Sequence, residues 1–213
     1  MHPMTERNSL LAKRVVENLK KRHFDAFYCE TAEDAMKKAL ELIPEGSLVS
    51  WGGSMTLKDM GLIRALNEGN YETIDRDNAK DTEEMWDMFR RAFSADWYLS
   101  SANAISEDGV IYNIDRTGNR VAAIAFGPKN VLIIAGANKI AGTEAAALER
   151  ARKVAAPANV VRLRYFDDTP CLKTGTCINC KSEHTLCSKI VALRMNDFPG
   201  RIKVIITAEE MGF

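Results

Sequence analysis

Two periodicities alternate along the chain. Leu10, Leu11, Val15, Val16 and Leu19 recur at helical spacing with Lys13, Arg14, Lys20 and Lys21 between them, which predicts a helix over about Ser9–Arg22. FDAFYC then reads as a short strand. Thr31, followed by Glu33 and Asp34, opens a second helix that runs to Ile43, where PEG ends it. SLVSW (47–51) is a short strand of the buried type, residues 57–67 carry helix signals, and YETID is another strand. Asp81 to Phe93 is amphipathic, with Met85, Met88 and Phe89 on one side, and DWYLS follows as a strand.

From Ala104 to Gly136 the character changes. Asp-Gly and Thr-Gly turns separate short β-rich runs, which predicts a meander or a series of hairpins ending in NVLIIAG, the strongest buried-strand signal in the chain. Alanines and charges over Gly142–Ala155 predict a helix, and NVVRLRYF then reads as a strand. A short helix is expected over Glu183–Met195, and RIKVIITAEE supplies a last strand. Helices alternating with four or more apolar strands call for an open α/β sheet with helices on both faces. No internal repeat or low-complexity linker divides the chain. The expected organisation is one domain over 1–213, with an N-terminal helical part over 1–45 and a cysteine-rich insertion over 167–190.

Charge narrows the range of partners. Lys plus Arg and Asp plus Glu both number 29, so nothing overall favours nucleic acid or an anionic membrane. No stretch approaches roughly 18 continuous apolar residues, so no membrane insertion is expected. The first residues lack the apolar core of a signal peptide, and a cytoplasmic location is the expectation. There, clustered thiols point to metal or redox chemistry more often than to structural disulfides.

Four of the five cysteines are clustered: Cys171, Cys177, Cys180 and Cys187 are separated by five, two and six residues. A Cys-x-x-Cys pair can place two thiolates on one site from a tight turn, and two more complete a sulfur site suited to zinc or a 4Fe–4S cluster. The spacing does not choose between them. His184, three residues before Cys187, is a further possible zinc ligand, and Cys177-Ile-Asn-Cys180 also has the form of a redox dithiol. Cys29, in FYCET, reads as a small apolar side chain at a strand end.

Trp51-Gly52-Gly53-Ser54-Met55-Thr56 sits between a predicted strand and a predicted helix. Gly52 and Gly53 allow close backbone approach, and Ser54 and Thr56 can hold an anion at the helix start; equally, either hydroxyl is a good N-cap. Gly136, Asn138 and Lys139, directly after NVLIIAG, occupy the place where open α/β sheets take ligands. Lys139 would neutralise substrate charge there, or simply end a helix in solvent. Arg120 can clamp an acidic group or order its own turn. Glu107, in Glu-Asp-Gly, is a candidate acid, base or nucleophile if a pocket raises its pKa, while Asp-Gly is also a simple reverse turn. These residues favour an anionic small metabolite as ligand and are compatible with binding alone or with turnover. Apolar strand edges and helices leave room for a homodimer.

Three stretches, WGGSMT, ANAISEDGVIYNIDRTGNRVAAIAFGPKNVLIIAGANKI and TPCLKTGTCINCKSEHTLC with RIKVIITAEEMGF, together resemble the LUD-domain family, associated with lactate utilisation. The match spans most of the chain from about residue 45, and the tail is similar to that of small cysteine-tailed members. The resemblance implies a Rossmann-like open sheet similar to the sugar isomerase and CoA-transferase superfamily. In that group Gly-rich strand-end loops hold phosphorylated sugars or CoA thioesters, and a Glu-x-Gly glutamate forms an acyl adduct in CoA transferases; Glu107 is similar in form. It also implies a role in lactate or related organic-acid metabolism. If the cysteines carry metal, an accessory iron–sulfur or zinc protein acting through an oxidoreductase partner is the alternative.

Overall fold

The computed structural model describes residues 2–213. Its centre is the run NVLIIAG, which forms β7 (Asn130–Gly136). Val131, Ile133 and Ala135 join one hydrophobic core and Leu132 and Ile134 the other. A strand apolar on both faces needs a layer on each side, and helices supply both. β7 lies between β10 (Ile202–Thr207) and β4 (Trp97–Ser100). With β1 (Asp25–Cys29), β2 (Leu48–Trp51) and β3 (Glu72–Ile74) they form a six-stranded, all-parallel sheet in the order β1-β10-β7-β4-β2-β3. The expected Rossmann-like open α/β architecture is what the chain adopts.

One face is covered by α1 (Pro3–Lys21), whose Leu11, Val15 and Leu19 are buried, and by α6 (Asn119–Ala125). The other is covered by α2 (Ala32–Leu42), α3 (Met55–Asp59) and α4 (Leu62–Glu68). Helix α1 starts earlier than its hydrophobic stripe, because Pro3 suits a first turn and the His2 ring accepts the Met4 N–H at 3.3 Å. The helix expected over 57–67 is two helices, divided where Gly61 adopts φ +80°. Asp81 caps α5 (Thr82–Arg91) through the Glu84 N–H.

A second sheet of four strands stands beside the first, in the order β8 (Ile140–Ala141), β5 (Ala104–Ser106), β6 (Ile111–Asp115), β9 (Lys189–Leu193). Its apolar face packs on a helical run made of α7 (Glu144–Arg150), a π-helical turn (Ala151–Ala155) and α8 (Ala156–Leu163).

Three expectations are corrected. The meander over 104–136 is a single hairpin, β5–β6. After it NRVAAIA coils into α6, which buries Val121, Ala123 and Ile124. The start of NVVRLRYF is the end of helix α8 and not a strand: Ala156 and Val160, four residues apart, both face inward, and the π-helical turn carries the helix on from α7. The helix expected within 183–195 is strand β9, which pairs antiparallel with β6 and covers what would otherwise be its free edge.

Candidate functional site

The chain leaves β2 for β3 on one side and returns to β4 on the other, so the connections part at the carboxyl ends of β2 and β4. Such a switch point leaves a crevice. Here it holds a cavity of about 400 Å³ lined from the loops after β2 (Gly53, Ser54, Thr56), β3 (Arg76), β4 (Ser101, Asn103) and β7 (Lys139). Helices α5 and α8 form further walls, with Phe89 on one and Arg162 on the other.

Lys139 is 3% exposed. Its Nζ donates to Thr56 Oγ1 at 2.9 Å and to Ser101 Oγ at 2.8 Å, two groups without charge. Burial lowers its pKa from 10.5 to about 7, and the nearby positive charges of Arg150 and Arg120 act in the same direction. A buried ammonium that meets only hydroxyls and other cations is a site that an anion would stabilise.

Arg120 faces the same cavity, but its donors are committed. Nε reaches Asp115 at 3.2 Å, Nη1 reaches Asn113 Oδ1 at 2.7 Å, and Nη2 reaches the Ile114 carbonyl at 2.7 Å and Asn103 Oδ1 at 3.2 Å. It contributes charge and fixes the turn after β6. A Cβ on Gly52 would stand 2.6 Å from Arg120 Cδ, so this glycine makes room for the arginine. At Gly53 a Cβ would overlap Arg76 Nη2 and come within 3.6 Å of Arg162 Nη2, so two further guanidiniums approach the bare backbone. Burial and the neighbouring Arg76 charge both lower the pKa of Arg162. Arg76 is 3.6 Å from Asp77, and Arg162 donates to Asn159 Oδ1 at 2.8 Å. Ser54 caps α3 through the Leu57 N–H at 3.3 Å; it borders the cavity and performs the capping role as well.

The structure therefore brings Gly53, Ser54, Thr56, Arg120 and Lys139 together at one cavity, with Gly52 behind them. Gly136 and Asn138 are set back from it. Asn138 accepts the Met211 N–H at 3.1 Å, and Gly136 lies against the backbone of Glu209 and Met211, so both seat the C-terminal segment, whose Phe213 borders the cavity. Glu107 lies elsewhere, at the end of β5, paired with Arg14 of α1. Arg76, Arg162, Ser101 and Asn103 escaped the sequence reading. Arg76 and Ser101 follow strand ends and were open to the same rule that singled out Lys139. Arg162 was hidden by the assignment of its segment to a strand.

The cysteine segment borders a different cavity, of about 350 Å³, on the far side of α8. Cys171, Cys177, Cys180 and Cys187 all line it, and none forms a disulfide. Burial pushes the Cys187 thiol up to about 11, and the other three cysteines act in the same direction. Among the described residues no group of three or more His, Cys, Asp or Glu side chains is arranged to hold a metal ion. His184 turns away to Asp168, at 2.8 Å, and stacks on Phe166 with centroids 4.2 Å apart.

The fold and this cavity define an open, parallel α/β protein with a basic crevice at its strand ends. The model of the LUD domain matches residues 12–207, and the chain belongs to that family. Membership supports an association with lactate utilisation. Among solved structures, a DUF162 family protein from Deinococcus radiodurans shares the fold, with a TM-score of 0.53 at 12% identity, covering 94% of this chain and 98% of that one. No curated protein matches the chain. No helix among the described residues is long and apolar enough to cross a membrane.

Proposed function

We propose that the chain binds a small anionic metabolite, of the organic-acid kind that its family association suggests, in the crevice at the carboxyl ends of β2, β4 and β7. The observation that carries this reading is the charge balance of the cavity wall. Lys139, Arg76, Arg116, Arg120 and Arg162 stand against Asp77 and Asp115, and among the described residues Lys139 has no acidic partner at hydrogen-bond distance. In such a crevice, charge-assisted hydrogen bonds from a lysine and two arginines would hold a carboxylate or phosphate firmly. The bare backbone at Gly53 lets such a group approach closely. Phe89, Ile114 and Leu163 add an apolar wall for a short carbon skeleton.

Calorimetric titration with pyruvate, lactate, CoA esters and sugar phosphates tests this reading. Binding of at least one class, weakened by about tenfold or more in Arg162→Gln, is the expected result. Failure of all four to bind, or equal binding by the variant, would count against the site.

A further inference from the structure

The sequence leaves zinc, an iron–sulfur cluster and a redox dithiol open for the four clustered cysteines, and all four line one cavity as free thiols. A lone zinc ion needs its thiolates about 2.3 Å from one point. Here the four cysteines are among the residues lining a cavity of about 350 Å³, room enough for a larger group than one ion. We propose that Cys171, Cys177, Cys180 and Cys187 hold a 4Fe–4S cluster, in a cavity that shares a wall with the anion crevice.

A cubane cluster takes one thiolate at each iron corner and fills the space between them, so its ligands surround a volume and do not meet at a centre. The segment's backbone fits that demand. Pro170 opens α9 (Pro170–Thr174), which carries Cys171 against Val160 and Leu186 in a small apolar core, and Gly175 at φ +68° ends it. Asn179, at φ +58°, turns the chain between Cys177 and Cys180; asparagine is among the few residues that adopt this conformation readily. The Cys177 sulfur already accepts the Asn179 N–H at 3.4 Å, and Arg152 Nη2 lies 3.9 Å away. Hydrogen bonds and a positive charge beside a sulfur are what stabilise a cluster thiolate. Ala156, Pro157, Val160, Ile178 and Ile190 complete an apolar lining, and no carboxylate is among the lining residues.

The wall is shared through Leu186, which borders both cavities and precedes a ligand. Helix α8 presents Val160 to the cysteines and Asn159 and Arg162 to the anion crevice. A stack continues the connection: Arg116, on the crevice, lies 4.3 Å over the Phe166 ring, which stacks on His184. Loading the cluster would order this whole partition, because a segment so polar has little apolar surface to hold it otherwise.

The full chain, purified without oxygen and reconstituted with ferrous iron and sulfide, tests the proposal. About four irons and about four acid-labile sulfides per chain are expected, with broad absorption near 400 nm and a paramagnetic signal on reduction. Cys180→Ser should lose most of both, and Cys29→Ser, altered outside the segment, should keep both. One zinc without sulfide, a Cys177–Cys180 disulfide with no metal, or full iron and sulfide in Cys180→Ser would each overturn the cluster. Wild-type metal content decides the matter even if Cys180→Ser fails to fold. Hydrogen exchange on loaded and stripped protein reads the shared wall. Protection should fall over residues 156–163 and 184–188 on stripping while β7 is unchanged; equal protection in both forms would overturn that part.

Discussion

Replacing Lys139 by Met tests whether the crevice contains a buried charge without an acidic partner. The fall from 10.5 to about 7 corresponds, at about 1.4 kcal/mol per pH unit, to roughly 5 kcal/mol of penalty on the charged form in the folded protein. Below the folded value both folded and unfolded chains carry the proton, and the whole penalty acts. As pH rises the folded chain sheds its proton while the unfolded chain keeps it until about 10.5, so the penalty relaxes and stability increases. Between about pH 6 and about pH 9 the relief amounts to roughly 2–3 kcal/mol.

Methionine keeps an unbranched stem and has no charge. The loss of hydrogen bonds to Thr56 and Ser101 costs about 1 kcal/mol each; the part common to both pH values cancels in the comparison, and any change as the lysine loses its proton is contained in its lowered pKa. Urea unfolding of both proteins, followed by circular dichroism at the two pH values, gives the double difference. Wild type should gain about 2–3 kcal/mol on Lys139→Met as pH rises. A difference constant within about 0.5 kcal/mol, or one of opposite sign, would refute the buried-charge reasoning.

Anion affinity should strengthen as pH falls through about 7, because the free protein then carries the Lys139 proton that the ligand needs; titrations across that range check it. Gly136→Ala places a Cβ 2.5 Å from Met211 N and 2.6 Å from Glu209 O, both backbone. It should cost about 2–3 kcal/mol in thermal or urea unfolding, whereas Gly142→Ala, with its nearest atom at 3.8 Å, should be near neutral. Glu107→Gln should leave anion affinity unchanged within about twofold by calorimetry, since its carboxylate pairs with Arg14 away from the crevice. If the cysteine segment holds the proposed cluster, removing it should weaken anion binding severalfold through Leu186, as measured on matched loaded and stripped samples.

Much of the main sheet was legible because its signals are local. NVLIIAG, SLVSW, DWYLS and RIKVIITAEE each carry a short apolar run with β-branched or aromatic residues that suits a strand buried on both faces, and Thr31 and Asp81 announce helix starts by their own side chains. The errors fell where local preference and context disagree. Adjacent valines at 160 and 161 favour a strand in isolation, yet the helix arriving from Glu144 continues through them and buries Val160. Residues 189–193 became a strand because β6 had an edge to fill, a need that arises only after the hairpin has formed.

By itself, then, the sequence determined most strands of the main sheet and the chemistry available: a Gly-Gly loop after one strand, a lysine after another, four cysteines within one short segment. Tertiary structure decided which of these meet. Strand order β4-β2-β3 opened the crevice where the β2 and β4 loops part, buried Lys139 between Thr56 and Ser101, and brought in Arg76 and Arg162 from segments distant along the chain. It tied up Arg120, left Glu107 outside, and put the cysteines on the opposite side of α8 from the basic residues. Local signals act over a few residues, whereas a site depends on side chains brought together by sheet order, which no short window of sequence encodes.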